Sequence, residues 1–321
     1  MAKRSESDGP IIWGKDITKE IGEHLIIKNL NLEIPRGLIF GFIGPSGCGK
    51  TTTIRLLTGV YRPTTGDMRV IGKQPVDFTV HDREKIGYMP QNFTLYPDLT
   101  VWENMSFAAS IYGLGLGRRS RIRQLLEFTE LYEDRRKLAS QISGGMQRRL
   151  SLAATLIHRP ELLFLDEPTG GIDPVLRRKF WDYFEELRHE GETLFVTTQY
   201  ISEAAYCDMV GIMIQGNLLA VDTPEGLRRR AMGGEVVVLK TQDYLAPTHI
   251  TMIDQLPFVK GKTVRSGENE VRIIVDEAGT VMQELVEWCA EHHIDIDSIQ
   301  AYLAPFDDVF VALIEKLSKD T

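Results

Sequence analysis

Three runs of the sequence combine residue types and spacing that chemistry can use. The first, Gly44-Pro-Ser-Gly-Cys-Gly-Lys50-Thr51, lies between an apolar run, Leu38–Ile43, and a stretch that opens a helix, Lys50–Thr58. Its spacing is G-x-x-x-x-G-K-[ST], in which glycines let the backbone curl until successive N–H groups face phosphate oxygens. The helix start adds its partial positive charge. Gly44, Pro45, Ser46, Gly47, Cys48, Gly49, Lys50, Thr51 and Thr52 are therefore the candidate phosphate-binding residues, with Lys50 reaching the β- and γ-phosphates and the Thr51 hydroxyl ligating Mg²⁺. Cys48 reads as a small loop residue rather than a redox nucleophile. The second run, Leu162-Leu-Phe-Leu-Asp166-Glu167, is an apolar strand ending in two carboxylates. Asp166 would reach the magnesium through water, and Glu167, just past the strand, would polarise an attacking water. The third, Ile142-Ser143-Gly144-Gly145-Met146, precedes a helical stretch, Gln147–His158, where Ser143 taken alone is a helix cap.

These runs need elements to hold them. Alternation and turn residues predict strands over Ile11–Ile17 and Leu25–Ile34, with short strands at Met68–Ile71, Ile86–Met89, Leu162–Leu165 and Thr193–Thr198. Val101–His158 has helical periodicity, and Asp173 with Pro174 opens a helix over Pro174–Arg188. Strands alternating with helices predict a mostly parallel, helix-covered α/β sheet. Gly233-Gly234 then breaks the chain. Beyond it strands at Glu235–Lys240, Phe258–Arg265, Glu270–Asp276 and Ile294–Leu303 alternate with helices at Ala246–Leu256 and Gly279–Glu291. That βαββαβ order is the ferredoxin-like pattern, followed by an amphipathic helix over Asp307–Leu317.

Composition narrows the classes. The chain has 321 residues, 43% hydrophobic and 26% charged, which is ordinary for two globular domains. A net charge of −8 argues against nucleic acid held through its phosphates. Residues 235–321 carry 7 Lys and Arg against 16 Asp and Glu, a net of −9 that is a poor match for an anionic membrane surface. Cys48, Cys207 and Cys289 are too few and too scattered for a disulfide framework or a zinc site. His292-His293, near Asp295 and Asp297, lacks ligand spacing and reads as solvated. Residues 1–10 form a polar tail without a signal-peptide core, and no apolar run approaches the ~20 residues of a membrane helix.

With the three runs in this order, the sequence from about Ile11 to Arg230 resembles the nucleotide-binding subunit of ATP-binding cassette (ABC) transporters. The resemblance implies a cassette over residues 11–232 with a parallel sheet core, an antiparallel β region and a helical insert at about 92–150. It implies ATP and Mg²⁺ as cofactors. Ser143, Gly144 and Gly145 would hold the γ-phosphate of ATP bound to the opposite subunit, and Gln91 would touch Mg²⁺ or the attacking water. Asp173, in Gly170-Gly171-Ile172-Asp173, would cross to the partner. Three positions depart from the family's commonest pattern. Met146 replaces a glutamine, Gln199 stands where a histidine normally follows Thr-Thr, and Ile21 stands where an aromatic usually stacks on adenine. A glutamine amide still donates to a phosphate oxygen but carries no proton charge. Gln199 and Ile21 leave a second reading open, a slow or regulatory cassette of a heterodimer.

Ser143–Arg149, Asp166–Thr169, Glu203-Ala-Ala-Tyr-Cys-Asp208 and Pro305–Phe310 resemble type-2 exporter subunits, which move drugs, lipids or glycolipids outward. That likeness implies a second cassette and an integral membrane permease as partners, and a place on the cytoplasmic face of the cell membrane. Residues 235–321 would regulate or stabilise the dimer. Tyr96, Leu99, Val101 and Trp102 either form a groove for a permease helix or belong to the insert's core. Soluble cassettes of translation and DNA repair share the ATPase core, but carry two cassettes or a long coiled coil.

Overall fold

A computed structural model describes residues 9–115 and 117–319. Its contacts divide the chain into two compact units, the break falling between Val221 and Asp222.

In the first unit, β1 (Ile12–Ile21), β2 (His24–Ile34) and β4 (Thr65–Val70) form an antiparallel sheet in the order β2-β1-β4. A six-stranded sheet runs β5-β6-β7-β3-β8-β9. Its strands are β3 (Ile39–Ile43), β5 (Ile86–Met89), β6 (Leu162–Asp166), β7 (Thr193–Thr198), β8 (Met209–Ile214) and β9 (Asn217–Asp222). From β5 through β8 the pairs are parallel. The Gln215-Gly216 turn, with both φ positive, sends β8 back into β9. Central strands have no wet face, which is why β3, β6 and β7 are buried at every residue. Phe40, Phe42, Phe164 and Phe195 meet there, with Phe195 centred 5.3–5.7 Å from the other three rings.

Helix α1 (Lys50–Leu57) follows β3, and a single turn, α2 (Val80–Arg83), precedes β5. Helical periodicity over 101–158 resolves into α3 (Val101–Ile111), α4 (Arg118–Phe128) and α5 (Gly144–Thr155). Helix α3 opens with a capping box in which Thr100 and Glu103 bond each other's backbone N–H. Helix α6 (Pro174–Glu190) starts at the Asp173 cap and ends on Gly191 in the left-handed conformation.

The second unit begins with α7 (Pro224–Met232), which packs against β10 (Glu235–Thr241) and α10 (Phe306–Lys319). The Gly233-Gly234 step taken from the sequence as the boundary after residue 232 therefore lies inside this unit. Leu227 and Ala231 bury the inner face of α7, and burial rather than chain punctuation decides where the helix belongs. Between α7 and α10 lie α8 (Pro247–Ile253), β11 (Val264–Arg265), β12 (Glu270–Val275), α9 (Ala278–Glu291) and β13 (Ile296–Tyr302). The sheet is antiparallel in the order β11-β12-β10-β13. The strand expected over Phe258–Arg265 shrinks to Val264–Arg265. Val259 bridges Val275, but Gly261, at φ +76, turns the chain away before pairing resumes. Valines and isoleucines of β10 and β12 pack on Val281, Leu285 and Cys289 of α9.

Candidate active site

Sheet register builds the site. Ile43 pairs with Thr198 and Asp166 with Thr197, so the carboxyl ends of β3, β7 and β6 finish in one row. The chain leaves β3 through the glycine loop. A Cβ on Gly44 would collide with the Met213 carbonyl oxygen, and Gly47 and Gly49 hold φ of +78 and +117. Glycine is the residue that accepts both demands without strain. Cys48 is buried in this loop, where burial pushes its thiol up against the opposing pull of Lys50, so it stays protonated at neutral pH.

Lys50 is almost fully buried, and its Nζ donates to the Gly44 and Pro45 carbonyls at 2.8 and 3.2 Å. It also lies 3.3 Å from Glu167 Oε1. Glu167, one residue past the end of β6, takes a left-handed φ of 48. Such a conformation in a non-glycine residue costs about 1–3 kcal/mol. Its N–H is held by the Thr197 carbonyl and hydroxyl oxygens at 3.1 and 3.0 Å. Gln91 Nε2 donates to Glu167 Oε2 at 2.7 Å.

Asp166 is 1% exposed. Its Oδ1 accepts from the Thr197 and Thr51 hydroxyls at 2.7 and 3.2 Å, while Oδ2 has no hydrogen-bond partner among the described residues. Burial pushes this carboxyl above its ordinary value against the pull of those two bonds. A buried, half-satisfied carboxylate beside a threonine hydroxyl has the hard oxygen donors that suit Mg²⁺. Across the loop, Ser46 Oγ donates to Gln199 Oε1 at 2.8 Å, tying the end of β7 to the glycine turn.

The structure thus gathers Gly44–Thr51, Gln91, Asp166, Glu167 and Gln199 at one end of the sheet. Thr197 completes the site and was not singled out from the sequence. Its signal was there, a polar residue closing the apolar run Leu194–Val196, which a strand buried on both faces does not otherwise need. Ser143 and Asp173 lie elsewhere. Ser143 caps α5 by accepting from the Met146 N–H, and Asp173 caps α6 by accepting from the Val175 and Leu176 N–H groups. Both line a separate depression of about 400 Å³ with Gly145 and Gly171, and its lining includes no residue of the glycine loop. Ile21 closes β1 and is 42% exposed. Of the possible groove residues, Val101 is fully buried in the insert's core. Tyr96 stands half exposed, its ring edge-on to exposed Phe107 at 4.9 Å.

A family model described as ABC transporter matches residues 27–170. The probable multidrug ABC transporter ATP-binding protein YbhF of Escherichia coli (strain K12) is 37% identical over 226 residues. That match takes in 70% of this chain and 39% of YbhF, so the chain spans about two fifths of that relative. The linearmycin resistance ATP-binding protein LnrL of Bacillus subtilis (strain 168) is 32% identical over 312 residues, covering 97% of this chain and 100% of LnrL. The solved dimeric post-hydrolysis state of the ATP-binding cassette MJ0796, bound to ADP and Pi, superposes with a TM-score of 0.61. Identity to it is 28%, over 66% of this chain and 98% of that one. LnrL is matched along its whole length, and the family model covers the segment that supplies the loop and both carboxylates. On these grounds the chain belongs to the ABC transporter family, among its ATP-binding proteins.

Proposed function

We propose that this chain binds Mg-ATP and hydrolyses it as one of two cassettes that drive a membrane permease. The observation that carries the reading is the convergence of Lys50, Glu167 and the half-satisfied Asp166 at the mouth of the glycine loop. Magnesium, when bound, would neutralise phosphate charge, and the Thr51 hydroxyl and Asp166 are the groups that would hold it. The Lys50 ammonium exchanges Glu167 for β- and γ-phosphate oxygens when nucleotide enters. Glu167, still oriented by Gln91, is then free to take the proton of the attacking water. Gln199, anchored through its carbonyl oxygen to Ser46, presents its amide N–H groups to the γ-phosphate.

Pairing is supported by the distance of the Ser143 depression from the glycine loop, none of whose residues lines it. Ser143 and Asp173 lie apart from the loop of their own chain, and the helix start behind Ser143 supplies backbone donors for a partner's phosphate. MJ0796, by its description, is dimeric with ADP and Pi bound. Export as the direction rests on YbhF and LnrL, named for multidrug transport and linearmycin resistance. No described helix is long and apolar enough to cross a membrane, so a separate permease is the proposed anchor, placing the cassette on the membrane's cytoplasmic face. Exposed Tyr96, Phe107 and Ile111 are its candidate contact. For the second unit, the strand order supports a ferredoxin-like domain that regulates or stabilises the pair.

The test is steady-state ATP turnover of the purified chain, alone and with its permease, beside Glu167→Gln. Removing the base lowers turnover about 10²–10⁴-fold. The variant with Mg-ATP then elutes as a dimer. A wild-type chain as inactive as the variant in both settings overturns the hydrolytic reading.

A further inference from the structure

Glu203 is a carboxylate that the proposed reaction leaves unused, yet it is 1% exposed. It sits in the short 3-10 helix Ile201–Tyr206 that follows Gln199 and Tyr200. Its Oε2 accepts from the hydroxyl of fully buried Thr169 at 3.1 Å, on the turn between Glu167 and Asp173. Its Oε1 has no hydrogen-bond partner among the described residues. Arg177 Nε faces that oxygen at 3.7 Å and is itself shielded from solvent, with no acceptor among the described residues. Arg177 belongs to the first turn of α6, where its N–H donates to the Asp173 carbonyl at 2.9 Å. Its guanidinium lies 4.0 Å over the Tyr200 ring, and the Glu203 N–H donates to the Tyr200 carbonyl at 3.1 Å. One carboxylate therefore touches the turn behind the general base, the segment behind Gln199 and the helix that begins at Asp173.

Burying a carboxylate against one hydroxyl and one loose cation does not stabilise a fold; an apolar side chain of equal volume costs less desolvation. The pair also stands about 0.8 Å beyond ordinary N–H···O length, leaving two complementary buried groups each short of a bond. What such an arrangement supplies is a defined spacing, together with a drive toward closing it.

We propose that Glu203 and Arg177 are positioning residues. By drawing α6 and the Thr169 turn toward the Tyr200–Glu203 segment, they place Gln199 and Asp173 in step with Glu167. The inference rests on the hydrolytic reading above.

Glu203→Gln keeps the acceptor for Thr169 and removes the charge, Arg177→Met keeps an unbranched apolar side chain and removes the guanidinium, and Arg177→Lys keeps the charge. In the full chain with its permease, Glu203→Gln and Arg177→Met each lower kcat about tenfold, within the range of coupling between two side chains in close contact. KM for ATP stays within about twofold, because ground-state binding is untouched. The Glu203→Gln/Arg177→Met double variant is no slower than either single variant, and Arg177→Lys recovers most of the rate. Unchanged kcat, a loss confined to KM, or effects that multiply in the double variant overturn the proposal. Amide hydrogen exchange across residues 170–175 reads the same cycle without turnover. Each single variant speeds exchange and the double adds nothing, whereas equal exchange in all forms overturns the proposal. An inactive wild type strikes the hydrolytic reading, while the exchange arm still decides this one. Should Glu203→Gln fail to fold, the comparison of Arg177→Met with Arg177→Lys decides it.

Discussion

Replacing Thr197 by valine removes one hydroxyl and little volume from the centre of the site. That hydroxyl donates to Asp166 Oδ1 at 2.7 Å and accepts from the Glu167 N–H at 3.0 Å. The second loss is covered, since the Thr197 carbonyl oxygen already takes the Glu167 N–H at 3.1 Å. What disappears is one charge-assisted bond to a buried carboxylate, worth about 2 kcal/mol. For a unit of this size that corresponds to a fall in melting midpoint of about 4–8 °C. Thr197→Ser keeps the hydroxyl and loses a buried methyl, costing about 1 kcal/mol.

The valine effect also carries a pH signature. Burial already raises the Asp166 carboxyl above its ordinary 3.8, and the Thr197 bond opposes that rise. Without the bond the folded-state value climbs further. The folded protein then holds its proton where the unfolded chain has released it, and stability falls as pH rises through that window. Wild type and Thr197→Val therefore match most closely below pH 4 and separate as pH rises toward neutrality. Urea unfolding followed by tryptophan fluorescence at several pH values measures the gap. A gap that is flat with pH, or a serine variant as damaged as the valine variant, refutes the assignment of Thr197 as the support of Asp166.

Gly44→Ala drives a methyl into the Met213 carbonyl oxygen, which is backbone of a packed strand, so nucleotide binding measured by calorimetry disappears together with several degrees of melting midpoint. The three cysteines are buried and free, and burial raises each thiol, Cys289 to about 11. A native chain at pH 8 therefore gives essentially no reaction with a disulfide-exchange reagent, against three thiols after unfolding; a rapidly reacting thiol contradicts the burial assigned here.

Much of this molecule is written in local sequence. The glycine loop was legible because its chemistry demands glycine where φ is positive or a Cβ has no room, and Gly44, Gly47 and Gly49 meet one demand or the other. The carboxylate strand was legible because four apolar residues before Asp166 suit a strand with no wet face. Caps at Ser143 and Asp173 follow from side chains that satisfy helix N–H groups a few residues away. These are short-range requirements, and a sequence states them directly. Tertiary structure decided the rest. The place of α7 depends on which surface buries Leu227 and Ala231, and the late start of the strand expected over Phe258–Arg265 depends on pairing with β12, which begins only past Gly261. The role of Thr197, the ion pair of Lys50 with Glu167, and the meeting of Thr169, Arg177 and Glu203 depend on parallel register between strands far apart in the chain. Register is set by the packing of whole sheets, so no window of neighbouring residues contains it.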